Sequence, residues 1–391
     1  MKTKRMIRIT IVILVPLFIL SLLVLLGKTL ITRHEQKKED ETIKIALTGD
    51  FLWEQNFYDT HKGYKFGSYF DQVKPYLDSD LTIANQEVPI GGKELGVSGT
   101  AFTYNAPEEI AQQFPGIGID YVTLANNHML DMGVSGIENT LDFLDEAGLK
   151  HTGAYRNKEE SEKISVVNVK GVKIAILSYT YDTNVGRNSN HVNYFLSSSG
   201  TFDKEYQEKL KKDIQKAKKK ADMVFVSMHW GKEFTYELTD TQKEVAKFLN
   251  EQSVDLVIGN HPHNIQPATT LTNKEGKETI VFYSLGNTTS ASAAVKRAST
   301  DFQNMYEIGA LVNLNIVKTD QGYVFENVKV IPIVNHFEYD HKNFKIIPFK
   351  EYTSKQAKKH FRAQFEDNFN KKWLEKEIRT IFDDSGFLDL D

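Results

Sequence analysis

The chain has 391 residues, 40% hydrophobic and 26% charged, with 24 Phe, 17 Tyr and only 9 Pro, which excludes a disordered or fibrous chain and suffices for one large core or two modest ones. It has no cysteine, so disulfides, thiolate ligands and a cysteine nucleophile are excluded, and any metal must be held by nitrogen and oxygen donors. Residues 1–41 carry 8 Lys/Arg against 4 Asp/Glu, which leaves the remainder of this net −4 chain at −8; a nucleic-acid partner is disfavoured because no basic footprint stands out.

Lys2, Lys4, Arg5 and Arg8 precede an apolar run from Ile9 to Leu26, and roughly 18 residues can cross a bilayer core. The positive cluster predicts a cytoplasmic N-terminal side and an exported remainder, held at the cell membrane by a single-pass anchor. No small-x-small site follows Leu26, which favours an uncleaved anchor over a removed signal peptide. Residues 1–32 are read as cytoplasmic stub and anchor, and the charged stretch 33–41 as a linker.

From Ile43 onward, short aliphatic runs alternate with amphipathic stretches, which predicts a layered α/β fold. The predicted strands are Ile43–Leu47, Leu81–Ala84, Tyr121–Leu124, Val172–Ser178, Met223–Ser227, Val254–Ile258 and Thr279–Tyr283. Helices are predicted over Gly133–Ala147, Asp203–Ala221 and Thr239–Gln252. Ile308–Val317 and Tyr323–Val330 read as an alternating pair around the turn Thr319–Gly322. One domain is expected over 42–350, followed by a helical tail over 351–391.

The chemistry-bearing residues cluster where these strands end. Asp50 follows the first, Asn85-Gln86-Glu87 the second, Asn126-Asn127-His128 the third, His229 through Glu233 the fifth, and His261-Pro262-His263 the sixth. Carboxyl ends of parallel strands converge on a common crevice. Convergence would gather enough oxygen and imidazole donors for one or two divalent ions. Asp131 and Gly133 read as capping the following helix. Trp230 is open between a place beside the site and the core, and Glu233 between steadying a ligand histidine, binding substrate and a solvated role.

In this order, Gly-Asp, Asn-x-Glu, Asn-Asn-His, His-Trp-Gly-x-Glu and His-Pro-His, the motifs resemble the CapA/PgsA family of poly-γ-glutamate synthesis proteins, a branch of the calcineurin-like metallophosphatases. The stretches 124–133, 259–267 and 281–287 support the resemblance, which spans about residues 42–335. It implies a metallophosphatase-like β-sandwich flanked by helices, with Mn, Fe or Zn as cofactor. Asp50 then resembles the first-strand ligand, Glu87 or Asn85 the bridging position, and Asn127 the amide ligand. His229 and His261 resemble ligands of the second ion, with His263 returning to the first. His128 resembles the residue that meets substrate and protonates a leaving group. Ordinary metallophosphatases carry Asp-x-His at the first motif and Gly-Asp-x-x-Asp at the second. Leu52 and Asn85-Gln86-Glu87 stand there here, which implies that one ion is held more tightly than the other. The implied partners are the membrane, membrane-bound capsule synthesis subunits, and either an anionic capsule polymer such as poly-γ-glutamate or a phosphoester. Two functions remain open: a metal-dependent hydrolase, or a metal-containing binding and assembly subunit without turnover.

Overall fold

The computed structural model describes residues 42–291, 300–365 and 368–390. The predicted anchor and linker lie outside the described residues; among the described residues no helix is long and apolar enough to cross a membrane.

Among the described residues fourteen strands form two sheets. The first runs β14 (Lys342–Pro348), β13 (Gly322–Glu338), β12 (Ile308–Thr319), β1 (Ile43–Phe51), β2 (Leu81–Gln86), β3 (Tyr121–Thr123) and β4 (Lys150–Thr152), with β11 (Asn287–Thr289) also pairing with β1. The second runs β5 (Ser165–Val169), β6 (Val172–Thr180), β7 (Met223–His229), β8 (Leu256–Asn260), β10 (Glu278–Leu285) and β9 (Ile265–Thr272). Within each sheet a parallel block, β1-β2-β3-β4 and β6-β7-β8-β10, is continued by antiparallel strands.

The layering follows from period-two alternation, which sends neighbouring side chains to opposite faces of a strand. Ile43, Ile45 and Leu47 of β1 meet Ile174, Phe225, Ile258 and Phe282 of the second sheet in one buried cluster between the sheets. The outer face of the first sheet is covered by the helices Glu109–Ile117 and Gly133–Glu146, through Phe114, Ile137 and Leu141. The helices Lys204–Lys218 and Asp240–Glu251 cover the second sheet through Leu210, Ile214, Val245 and Leu249. The result is the layered α/β fold that the sequence pattern predicts, built as the helix-flanked sandwich that the resemblance implies. The tail is helical at Ser354–Lys359 and Lys371–Phe382, and it inserts Leu374, Ile378 and Phe382 into the cluster between the sheets.

One crossover matters most for function. The chain leaves β10 in the second sheet and, through Gly286 at φ +61°, becomes β11 beside β1 in the first. The backbones approach so closely there that a Cβ on Gly49 would sit 2.0 Å from the Gly286 carbonyl oxygen. Gly259 is under the same constraint, since its Cβ would lie 2.0 Å from the Tyr283 oxygen. These two glycines therefore set the spacing of the strands that carry Asp50 and the His261–His263 turn.

Candidate metal centre

The strands run further than their aliphatic cores suggest. Asp50 lies within β1, Asn85 within β2, and His229 is the last residue of β7. Glu87 directly follows β2, and Asn127 and His128 lie four and five residues past β3. His261 and His263 occupy the turn between β8 and β9. All of these side chains are buried, and they come together at one end of the sandwich.

Each donor is steadied by a neighbour. The Asp50 carboxylate accepts from Asn85 Nδ2 at 2.8 Å and from the His261 amide at 3.1 Å. Thr123 donates in turn to Asn85 Oδ1 at 3.3 Å, so both polar ends of Asn85 are engaged and its amide orients Asp50. His229 Nε2 lies 2.7 Å from Asn127 Oδ1 and 3.4 Å from Glu87 Oε1. His263 Nδ1 lies 3.0 Å from Asn287 Oδ1, while its Nε2 faces Glu87 Oε1 at 3.6 Å. His261 and His263 both hold left-handed backbone, at φ +99° and +58°, a costly conformation for a residue with a Cβ that concentrates at functional sites.

Glu87 is the centre of the arrangement. Both of its oxygens are fully buried and hydrogen-bonded to nothing, and so are His229 Nδ1 and His261 Nδ1. Buried carboxylates are normally paired or bound to a cation. Ligand atoms of Glu87, His229 and His261 lie within 4.8 Å of one another, as do those of Asp50, Glu87 and His263, and those of Glu233, His261 and His263. The electrostatics point the same way. Burial holds His229 down at about 3 and His261 well below its ordinary value, so both rings are neutral and have a lone pair to offer. His263 is pushed up to about 10 against the effect of burial, by Glu87 and Asp50. Burial and Asp50 raise Glu87 well above the usual carboxylate range. The pocket thus favours a positive charge among its acids, and an all-nitrogen-and-oxygen donor set suits a divalent cation.

A cavity of about 740 Å³ opens over this cluster, lined by His128, His261, His263, Glu233, Lys232 and Leu52, with Tyr104, Tyr181, Phe234 and Tyr306 among its walls. His128 Nδ1 lies 2.8 Å from Asp131 Oδ2; donating there leaves Nε2 for a group in the cavity that His128 lines. Asp131 does not cap the helix Gly133–Glu146, as its position in the sequence suggests. The cap residue is Met132, with no side-chain cap bond, because the Asp131 carboxylate is turned back onto His128 and the Tyr104 amide. Trp230 is a core residue that donates to the Tyr283 oxygen at 2.8 Å.

The structure therefore brings together Asp50, Asn85, Glu87, Asn127, His229, Glu233, His261 and His263, with His128 beside them on the cavity wall. Asn287, the partner of His263, went unassigned in the sequence, although the Gly286-Asn287 pair after a strand was the available signal. Tyr104 and Tyr181 left none, since an aromatic residue reads as core until a cavity exposes it.

A two-sheet α/β sandwich with imidazoles and carboxylates from both sheets at one rim defines a protein built around a polar, cation-seeking cleft. The family assignment narrows this: the chain belongs to the bacterial capsule synthesis protein PGA_cap family, whose profile matches residues 44–292. It is 30% identical over 277 residues to the capsule biosynthesis protein CapA of Bacillus anthracis, covering 68% of this chain and 65% of that one. With the PGA biosynthesis protein CapA of Bacillus subtilis (strain 168) it shares 28% identity over 256 residues, 63% of each. The chain thus matches just under two thirds of these relatives' lengths. Among solved structures it is similar to the calcineurin-like phosphoesterase YfkN of Bacillus subtilis, with a TM-score of 0.41 and 14% identity over 74% of this chain and 90% of that one.

Proposed function

We propose that the protein is a membrane-anchored, extracytoplasmic component of poly-γ-glutamate or related capsule biosynthesis and export, and that its cleft is a metal-dependent hydrolase-type site of the calcineurin-like kind. The observation that carries the site is Glu87, a buried carboxylate that no donor hydrogen-bonds, with its Oε1 facing His229 and His263. Family membership supports the capsule context, and the predicted anchor supports the location.

When bound, a divalent ion supplies Lewis acidity toward a phosphoryl or carbonyl oxygen and makes water nucleophilic at neutral pH. Asp50, Glu87, Asn127, His229, His261 and His263 would hold it. Asn85 and Asn287 fix the directions of Asp50 and His263. His128, held through Nδ1 by Asp131, would as the imidazolium protonate a leaving group from Nε2. Lys232 offers a cation to an anionic substrate at the wall.

The test is turnover by the purified full chain loaded with Mn, on a generic phosphodiester and on γ-glutamyl polymer, with His128→Ala as control. Metal-dependent hydrolysis that disappears in the variant is the expected result. One residue favours a second reading. Leu52 lines the cavity where the resembling enzymes carry a ligand histidine, which weakens one ion's hold and suits a binding and assembly subunit. A wild type that binds metal and polymer but hydrolyses neither substrate supports that reading and defeats the first.

A further inference from the structure

At the β14 edge of the first sheet an aromatic column rises from the core to the surface. Phe337 and Phe344 are buried. Phe361 packs over Phe337 at 5.8 Å and stacks on His341 at 5.1 Å. Tyr339 lies parallel to Phe361 at 6.5 Å, and Phe365 packs against it at 5.0 Å. Tyr339 and Phe365 are 59% and 61% exposed, the two highest values among the exposed large hydrophobic residues. Rings left in water next to one another mark a contact surface.

The charge around them identifies the contact. Residues 339–365 contain seven Lys/Arg and two Asp/Glu, a net +5, inside a stretch 42–391 whose total is −8. Not all of this charge is free. Arg362 is buried against Asn304 and Gln303, and Lys359 pairs with Glu338 at 3.6 Å. Lys345 on β14 and Lys355 and Lys358 on the short helix before Phe361 are exposed, with no ion-pair partner among the described residues. Exposed tyrosine and phenylalanine rings in the same stretch of chain as unpaired ammonium groups match the chemistry of a membrane interface, where rings sit at headgroup depth and lysines meet lipid phosphates.

We propose that Tyr339, Phe361 and Phe365, flanked by Lys345, Lys355 and Lys358, rest on an anionic lipid bilayer. The contact orients the domain on the membrane, independently of whatever the cleft binds. A soluble polyanion would engage the lysines but would leave the rings in water, so the exposed rings favour lipid.

The absence of cysteine makes the test direct. Single Tyr339→Cys and Phe365→Cys variants of the full chain, labelled with an environment-sensitive fluorophore, are reconstituted into vesicles with or without phosphatidylglycerol. Val324→Cys serves as control; Val324 is 41% exposed on β13, roughly 45 Å along the strand from its end at Glu338, which precedes Tyr339. The expected result is a blue shift, and quenching by brominated acyl chains, at positions 339 and 365 in phosphatidylglycerol vesicles only. High salt should reverse it. In the Phe365→Cys background, reversing Lys345, Lys355 and Lys358 to Glu should weaken the contact on the order of fivefold per lysine. Equal signals at 324 and 339, or a shift produced by soluble poly-γ-glutamate and not by vesicles, overturns the proposal.

Discussion

Replacing Glu87 by Gln separates a cation site from an ordinary buried acid. The substitution keeps shape and volume but removes an acid that burial and repulsion from Asp50 hold well above the usual carboxylate range, with no donor on either oxygen. An unsatisfied buried polar group costs about 1–3 kcal/mol, more when charged, and a protonated His263 beside it offsets part of that. Relief of even the lower figure stabilises the metal-free protein, at roughly 1–2 °C in Tm per kcal/mol for a chain of this size. With Mn present the order reverses. Wild type gains about 2.7 kcal/mol at a hundredfold excess over Kd, whereas Glu87→Gln loses most of that gain. The assay is differential scanning fluorimetry of both proteins at pH 7.5, with chelator and across a Mn titration. Crossing Tm values are expected. Equal destabilisation by Glu87→Gln with and without metal would mean that the carboxylate has a structural partner, and the reasoning would fail.

Other consequences are as direct. His128→Ala should lower hydrolysis about 10²–10⁴-fold yet leave Mn affinity by calorimetry unchanged, since the ring bonds Asp131 rather than the central acids. Asn287→Ala removes the partner of His263 Nδ1 and should weaken metal binding about 10–100-fold. His360 supplies a pH dependence away from the cleft. Its Nε2 donates to the Asn335 oxygen and its Nδ1 accepts from the Arg362 amide, and burial holds it at about 3. The folded ring stays neutral while the unfolded one protonates below about 6.5. The resulting stability is complete above pH 6.5 and is lost as pH falls toward 3, by up to about 5 kcal/mol. Urea midpoints should decline over that range, and His360→Phe, though less stable at neutral pH, should show a shallower decline.

The layered architecture was legible because the aliphatic runs of β1, β2, β6 and β7 are buried on both faces and nearly uninterrupted. Their ends were read too early. Asp50 and His229 belong to the strands, but a buried polar residue looks like a loop to any hydropathy pattern. β11 and β14 escaped notice for different reasons. β11 is a three-residue Asn-Thr-Thr pairing held by the crossover at Gly286, and β14 is a Lys-containing edge strand. The helix Glu109–Ile117 contains Pro115, and proline within a helical pattern argues against the helix. The gathering of these residues at one rim was legible because each ligand-type cluster follows a strand. The Asp131–His128 pair was not, because capping and bonding to an imidazole suit the same residue at that position.

The donors around Glu87 are divided between the two sheets. Asp50, Glu87 and Asn127 come from the first, and His229, His261 and His263 from the second. An ion at their meeting point would act as a rivet, fastening the layers at the rim where the chain itself passes from one to the other. Stripping it would let that seam breathe, and amide exchange at β1, β8 and β11 would report the loosening while the far ends of the strands stayed shut.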